Sequence, residues 1–417
     1  MATKYWLGEA DAVAQVWTGV IASVDATPAN NTFTVTIGGV AVSVAGVTSA
    51  AATATALVAA LNASTHPYFS SITWSVVSST NVRGTADVAG VPFLAVLSKS
   101  GAGTGTVTDF AVTTACASAY HWDTAGNWSD GVVPVSTDTV ILQGSTSILW
   151  GLAQAAVTLT QLTILKTFTG KLGLNRAVFA TTANGETTDS TKHEYRQRYL
   201  NIGYDAADIG QHAGPGSPAG SSRIMLQNAK AGASTTMVHG TATAAAETGY
   251  PSIRLLAAHA SATVIVRDGS GGVGIASDAP GETSTVGAVS VAGGALYIGP
   301  GVTLTSLSQV GGSCILEAAA TVSSVTVGGG TLTTEGDYTV TAMTVSGGQV
   351  LCNNIKSGGN AITTLNLTGG RVDGRASQEA RTWDTVNPDL GTLLVDDSVV
   401  TITNMDAPAG ARQITVS

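Results

Sequence analysis

Pairs of adjacent glycines recur at a fixed spacing through the second half of the chain. Four pairs are 18 residues apart, and a fifth follows after 22 residues. The pairs are Gly293–Gly294, Gly311–Gly312, Gly329–Gly330, Gly347–Gly348 and Gly369–Gly370. Apolar residues repeat in the same phase, four residues before each pair and two residues after it. The repeat contains no helix-forming segment, so it constrains the chain to a stack of short strands.

This period predicts a β-solenoid, in which each rung is a coil of short strands and apolar residues stack on those of the next rung. Glycine suits the corner of a rung because it adopts backbone angles that a Cβ atom forbids. A period of 18 residues is too short for a propeller blade or a helical repeat. We predict a mainly β protein with a right-handed parallel β-solenoid (β-helix) over 121–417, with rungs of about 18–22 residues and insertions near 181–221 and 371–389.

Residues 1–120 have the pattern of a small α+β domain. The alternating segment 31–37, followed by Gly38-Gly39 and a second alternating segment, predicts a β-hairpin with a tight turn. The polar residues at 48–49 are suited to cap a helix that runs to about Leu61. Further strands are predicted at 72–77, 93–97 and 107–112.

A tryptophan-rich segment lies between the two parts. The sequence HWDTAGNWSDG at 121–131 contains Trp122 and Trp128. The open first rung of a solenoid exposes unpaired strand, which must be covered to prevent edge-to-edge association. We expect the two tryptophans to cover that rung and Tyr5-Trp6 to join them, which would make residues 11–115 an excursion from the cap. A ligand-stacking role for these rings is the less favoured interpretation.

Two segments resemble known families. The segment 121–131, with Pro134 and the run Asp138–Ile141, resembles the "W…NWS.G..P…D.V.I" opening of bacterial and phage β-solenoids. The hairpin and Ala-rich helix of 33–61 are similar to a small module of phage structural proteins. The resemblance implies a virion surface protein such as a tail spike, tail fibre or head-decoration protein, forming a homotrimer bound to capsid or tail proteins. It implies no catalytic residue, since nothing here matches a family active-site motif.

Charge and composition restrict the partners. The chain has 18 basic and 27 acidic residues, a net charge of −9, and no basic cluster, so we expect no nucleic-acid partner. No apolar run is long enough to span a bilayer, and no signal-peptide segment is visible, so we expect synthesis in a host cytoplasm without membrane insertion. The three cysteines are too few and too scattered for a disulfide framework or a zinc site, and we predict no cofactor.

The regular rungs are almost uncharged. Charged residues make up 11% of the chain, against about 25% in an average soluble domain. Between residues 286 and 370 they are only Glu317, Glu335, Asp337 and Lys356. A rung has nearly as many outward as inward positions, so this exterior is unusually neutral for a free monomer. Packing around a three-fold axis would bury part of it.

The densest charge cluster lies in the predicted insertion at 371–389. Glu379 and Asp384, or Asp373 with either of them, are candidates for the carboxylate pair of a glycosidase. Trp383 would then be a carbohydrate-stacking platform. The alternative is a solvated loop, or an intersubunit patch of mixed charge. We favour the alternative and predict no enzyme activity, because a polysaccharide hydrolase also needs a cleft, which one loop scarcely builds.

Metal-site candidates are weak. Asp268, within the Gly-rich segment 268–274, and Asp278 resemble the Gly/Asp turns that bind calcium. A single copy without the nine-residue period favours an ordinary Gly-rich loop. None of the six histidines has another two or four residues away, so the common histidine metal pairs are absent from the sequence.

These patterns favour a structural virion protein of a bacteriophage, anchored by its N-terminal domain and projecting its solenoid from the particle surface. One alternative is a tail spike or fibre that binds or degrades a host surface polysaccharide. A further alternative is a bacterial surface adhesin. Head attachment is slightly favoured over tail attachment, because the solenoid sequence offers no recognisable receptor-binding tip or cleft.

Overall fold

The structure is a computed structural model. It is mainly β, with a parallel β-solenoid of about 10 turns and a small N-terminal β-rich domain. This confirms the predicted fold class. The described residues are 2–175, 196–211, 220–240, 245, 248–267, 272–278, 281–336, 338–353, 361–376, 380–406 and 414–416.

The chain begins in the solenoid, leaves it for a separate unit and then returns. Strand β1 (Thr3–Tyr5) belongs to the solenoid. The chain leaves the solenoid at Val13 and returns to it at Ala117, and these two residues form an antiparallel bridge. We call the part of the chain between them the α+β unit. Its elements are β2 (Val16–Ser23), β3 (Thr32–Ile37), β4 (Val40–Ala45), α1 (Ala50–Ala63), α2 (Pro67–Ser70), β5 (Ile72–Val77), β6 (Asn81–Ala86), β7 (Val96–Ser100) and β8 (Thr106–Thr114).

The remaining strands form the solenoid with β1. They are β9 (Thr139–Leu142), β10 (Ala153–Leu165), β11 (Leu200–Gln211), β12 (Ile224–Asn228), β13 (Ser234–Val238), β14 (Ile253–Val266), β15 (Val273–Ile275), β16 (Ser284–Val291), β17 (Ala295–Ile298), β18 (Val302–Gln309), β19 (Ser313–Leu316), β20 (Val322–Val327), β21 (Thr331–Thr334), β22 (Thr339–Val345), β23 (Gln349–Cys352), β24 (Ala361–Leu367), β25 (Arg371–Asp373), β26 (Arg381–Pro388), β27 (Thr392–Val395), β28 (Val400–Met405) and β29 (Ile414–Val416).

From β16 onward each rung has one longer and one shorter strand, and both pair in parallel with their counterparts in the next rung. Leu307 in β18 pairs with Val325 in β20, and Cys314 in β19 pairs with Leu332 in β21. Residues 18 apart therefore stack, as the sequence period predicted. The inward-facing side chains of successive rungs stack in columns. They are buried and form one continuous apolar core along the solenoid.

The longer strand bends in its middle. In β18, Leu304 and Leu307 are both buried, while Thr305 and Ser306 between them are not. A straight strand would alternate strictly, so two successive outward residues mean that the strand turns a corner. Together with the shorter strand, the two halves give the rung three sides.

The glycine pair forms the corner between the longer and shorter strands, and each glycine is required for a different reason. Gly330 has a φ of +77°, a left-handed conformation that a Cβ atom disfavours. Gly329 has no such angle, but a Cβ atom there would lie 2.5 Å from the carbonyl oxygen of Val310 in the preceding rung. The second glycine of each of the five pairs shares the left-handed φ, at values from 68° to 77°.

We expect alanine at these corners to have sharply position-dependent effects. Gly330→Ala should lower the free energy of unfolding by about 2 kcal/mol or more, because the left-handed backbone is strained and the Cβ meets the rung below. Gly329→Ala should also destabilise the protein through the carbonyl contact. Gly328→Ala is the matched control, since its Cβ would meet nothing closer than 3.7 Å. Equal denaturant midpoints for the three variants would contradict this explanation of the repeat.

The two predicted insertions contain more strand than expected. Residues 371–389 include all of β25 and β26, and both strands pair with neighbouring rungs. The prediction of an insertion is therefore wrong for these two strands. The four additional residues of the 22-residue spacing lie instead between β23 and β24. Within 181–221, β11 is a strand paired with β10 and β12, with register shifts in its pairing to β10. The parts at 176–195 and 212–219 lie outside the described residues.

A cluster of three tryptophans covers the first turn of the solenoid. The ring of Trp128 lies edge-on to those of Trp6 and Trp122, with centroid distances of 5.1 and 4.7 Å. All three side chains are at most 2% exposed. The Trp128 indole donates to the Trp122 carbonyl oxygen at 2.8 Å, and the Trp6 indole donates to that of Thr146 at 3.0 Å. The expectation that Trp6 joins the cap is confirmed.

Asn127 lies between Trp122 and Trp128 in the sequence. Its side chain joins the segment that leaves the solenoid to the segment that returns to it. Its buried side-chain oxygen accepts from the Ala10 amide at 2.8 Å, and its nitrogen donates to the Ser118 carbonyl oxygen at 2.8 Å. One side chain therefore closes the base of the α+β unit.

The α+β unit has two antiparallel sheets, in the strand orders β5-β6-β2-β8 and β4-β3-β7, with α1 packed against them. The Gly38-Gly39 hairpin and the helix capped by Ser49 are confirmed. The strand predicted at 93–97 begins later, at Val96, because the Phe93 amide donates instead to the Gln15 side chain at 2.7 Å.

Strands β2 and β6 were not predicted, because each has a glycine in its middle. A Cβ atom at Gly19 would lie 3.0 Å from the Phe110 ring, and one at Gly84 would lie 2.8 Å from the Trp74 ring. These glycines make room for aromatic side chains in the core. In the sequence they look like strand breakers.

His121 links the cap to the α+β unit. Its ring is buried, with Nε2 3.1 Å from the Gly90 carbonyl oxygen and Nδ1 3.3 Å from a carboxylate oxygen of Asp123. Burial works against the charged form, but the Asp123 and Cys116 side chains and the Gly90 carbonyl outweigh it and raise the pKa of His121 to about 9. The imidazolium therefore joins both parts of the molecule at neutral pH.

This raised pKa predicts a loss of stability in alkali. The contribution of His121 is complete below pH 6.5, its ordinary pKa, and disappears as the pH rises through about 9. Between these values the free energy of unfolding should fall by up to about 1.4 kcal/mol per pH unit. Denaturant titrations from pH 6 to 10 should show this slope in the native protein and lack it in His121→Gln. The same slope in both proteins would contradict the assignment.

Candidate functional site

The second half of each longer strand presents a surface of small, uncharged side chains, which we call the neutral face. Its outward residues stack in two columns that run through six rungs. The pairs are Ala288 and Ser290, Ser306 and Ser308, Ser324 and Thr326, Ala342 and Thr344, Thr364 and Asn366, and Thr385 and Asn387. All twelve are exposed or half-buried. The neutrality noted in the sequence thus includes the whole of this side of the coil.

Parallel sheets are seldom left bare. They occur almost only where both faces are covered by other structure. Here the inner face packs on the core, while the neutral face has nothing of this chain over it in the described rungs. Interface centres are depleted of charge relative to the rest of a protein surface, which is the composition of this face. The arrangement is therefore suited to packing against another protein surface.

Asp373 is unsuited to the role of general acid. It lies at the end of β25 and is clamped by Arg371, at 2.6 Å, and by Arg375, at 3.0 and 2.8 Å. Hydrogen bonds from Arg375 and then Arg371 outweigh partial burial and hold the pKa of this carboxyl well below its usual range. A general acid of a glycosidase needs a raised pKa, so this environment acts in the opposite direction.

The structure places two of the other proposed glycosidase residues, Trp383 and Asp384. Trp383 is fully buried in the solenoid core, so the prediction of a carbohydrate-stacking platform is wrong. Asp384 is exposed on β26, a different strand from Asp373, and extends an outward column of hydroxyl residues. Glu379 lies outside the described residues. The alternation of β26 explains both positions, since inward Trp383 and outward Asp384 are adjacent.

Asp278 is part of a buried ionic network rather than an open metal site. Its carboxylate pairs with Arg198 and with Arg254, and its amide donates to Glu282 at 2.9 Å. Tyr199 donates to the same Glu282 carboxylate at 3.1 Å. Guanidinium groups thus occupy the position that a cation would need. Among the described residues no group of three or more metal-ligating side chains occurs, and Asp268 lies outside them.

The network connects several turns in the part of the solenoid that precedes the regular rungs. Arg198 precedes β11, Arg254 lies in β14, and Asp278 follows β15. Sequence reasoning did not find it, because Arg198, Arg254 and Asp278 are more than 20 residues apart and no spacing rule connects them. The basic residues were visible only as scattered charges in a chain otherwise poor in charge.

We expect Asp278→Asn to lower the free energy of unfolding by about 3–5 kcal/mol, since it leaves two buried guanidinium groups without their carboxylate. Asp205→Asn is the control, because Asp205 pairs with Lys230 at the surface and is 54% exposed. Its loss should cost at most about 1 kcal/mol. The melting temperature should not respond to calcium or EDTA. A rise with calcium that Asp278→Asn abolishes would restore the metal interpretation.

Comparison with known proteins identifies no relative: no family model, curated protein or solved structure matches the chain. None of the helices in the described part of the chain is long and apolar enough to cross a membrane.

Proposed function

We propose that this chain is a structural protein of a bacteriophage particle, assembled as a homotrimer through its neutral face. The α+β unit would anchor it to capsid or tail proteins, and the solenoid would project from the virion surface. The observation that carries the proposal is the uncharged face over six rungs of a parallel sheet. The resemblance of the tryptophan-rich opening and the hairpin module to phage proteins supports the same assignment.

The position of the α+β unit suits an anchor. It is inserted between β1 and β9, so it lies at the capped end of the solenoid and leaves the regular rungs clear of it. Exposed apolar side chains on this unit, Val88 and Val91, offer contacts for another virion protein.

Two observations disfavour the hydrolase alternative. The lowered pKa of Asp373 opposes a role as general acid, and the buried ring of Trp383 cannot stack on a sugar. No observation specifically favours a bacterial adhesin.

The oligomer can be tested on the neutral face itself. Sedimentation equilibrium of the native protein should give three times the mass of the 41.6 kDa chain. Thr326→Lys should reduce the trimer to monomer, because it places a charge in an uncharged contact. Thr333→Lys, on the shorter strand, is the matched control and should leave the trimer intact. A monomeric native protein, or a trimer unaffected by Thr326→Lys, would contradict the interface.

The virion assignment needs a separate measurement. Quantitative gel analysis of purified particles should find the protein in fixed stoichiometry with the coat. Copies on the order of hundreds would place it on the head lattice, and on the order of tens or fewer on the tail, because symmetric shells and tails differ in subunit number. Its absence from purified particles would overturn the proposal.

A further inference from the structure

A cleft opens where the α+β unit meets the first turns of the solenoid. We call it the junction cleft. It has a volume of about 240 Å³. Its apolar wall comes from both parts of the molecule, with Phe93 and Leu94 from the unit and Trp150 and Leu152 from the solenoid. Its polar lining includes Asp123, Gln154 and Arg196.

The carboxylate in this cleft is held in place from two sides. One oxygen of Asp123 lies 3.3 Å from Nδ1 of the buried His121. The same oxygen lies so close to Gly151 that a Cβ atom on that residue would overlap it, and Gly151 has a φ of +66°. The Asp123 side chain is nevertheless 52% exposed. It is therefore a fixed acceptor that a ligand can reach.

The neighbouring polar and aromatic groups are also fixed. The Gln154 side-chain nitrogen donates to the Gly151 carbonyl oxygen at 2.7 Å, which leaves its oxygen as an acceptor. Trp150 is half-buried, and its backbone accepts from the Trp122 amide at 3.0 Å. The His121 ring lies 6.5 Å from the Trp150 ring, at an interplanar angle of 34°. These contacts attach the cleft to the tryptophan cap, the rigid end of the solenoid.

We propose that the junction cleft binds a neutral saccharide of one or two rings. Sugars offer an apolar C–H face and a rim of hydroxyl groups, which match an indole beside fixed carboxylate and amide groups. Asp123 supplies an acceptor and Arg196 a donor, so the lining can meet both hydrogen-bonding functions of a sugar hydroxyl. The volume is below the ~300–1,000 Å³ of sites for drug-sized ligands, which limits the occupant to a short saccharide.

This inference is independent of the virion assignment and of the trimer. The cleft is built from a single chain at the capped end, away from the neutral face. A monomeric protein that is absent from particles could still bind a sugar, and a trimeric virion protein could fail to do so. Binding measurements on purified protein therefore test the cleft alone.

The test is saturation-transfer NMR on the full chain with glucose, galactose, N-acetylglucosamine, lactose, cellobiose and chitobiose. We expect transfer to at least one of these sugars. Trp150→Leu should weaken its binding about tenfold or more, the effect of losing one buried aromatic contact. Asp123→Asn keeps the shape of the side chain and should also weaken binding. Asp384→Asn, on the exposed surface of β26, is the matched control and should bind like the native protein.

Gln154→Leu provides a second cleft variant if Trp150→Leu fails to fold, as judged by its thermal melting. It removes the amide acceptor and should reduce the transfer signal. The proposal is overturned if none of the six sugars gives transfer to the native protein. It is equally overturned if a sugar binds and the folded cleft variants bind it as tightly as the Asp384→Asn control.

Discussion

The close stacking of glycine corners is the contact on which the regular half of the molecule depends. At Gly329 the carbonyl oxygen of the rung below occupies the space where a Cβ atom would lie, and Gly330 turns the chain through a left-handed angle. Rungs can therefore approach at the corner as closely as at the paired strands. Residues 18 apart are then kept in register, and that register aligns apolar side chains into one core and neutral side chains into one face.

The first turn cannot be held by stacked glycine corners, because no rung lies below it. Three tryptophans cover its core instead, and Asn127 joins the two chain segments where the α+β unit is inserted. An aromatic cap and an inserted unit do not meet as evenly as two identical rungs do. The junction cleft is the space left between them, lined by Trp150 on one side and Phe93 on the other.

Much of the fold was predictable because it follows from local backbone demands. Glycine pairs marked the corners, Gly38-Gly39 marked the hairpin, and Ser49 marked the start of the helix. Strands β2 and β6 were missed because their glycines serve ring packing, which depends on a distant Phe110 or Trp74. Trp383 was misplaced for a related reason. Its charged neighbours suggested a surface loop, and its register partner Ile362 lies at a spacing that matches neither the 18- nor the 22-residue repeat, so the period did not direct its ring inward.

The sequence by itself determined the repeat, the corners and the cap motif, since each of these is a requirement that neighbouring residues impose on one another. Only the tertiary structure decided which charges meet. Asp278 lies against Arg198 and Arg254, and Asp123 against the buried His121 at the edge of a cleft. Ionic contacts and cleft walls depend on distances in space, and coiling brings together residues from different turns that no local pattern connects.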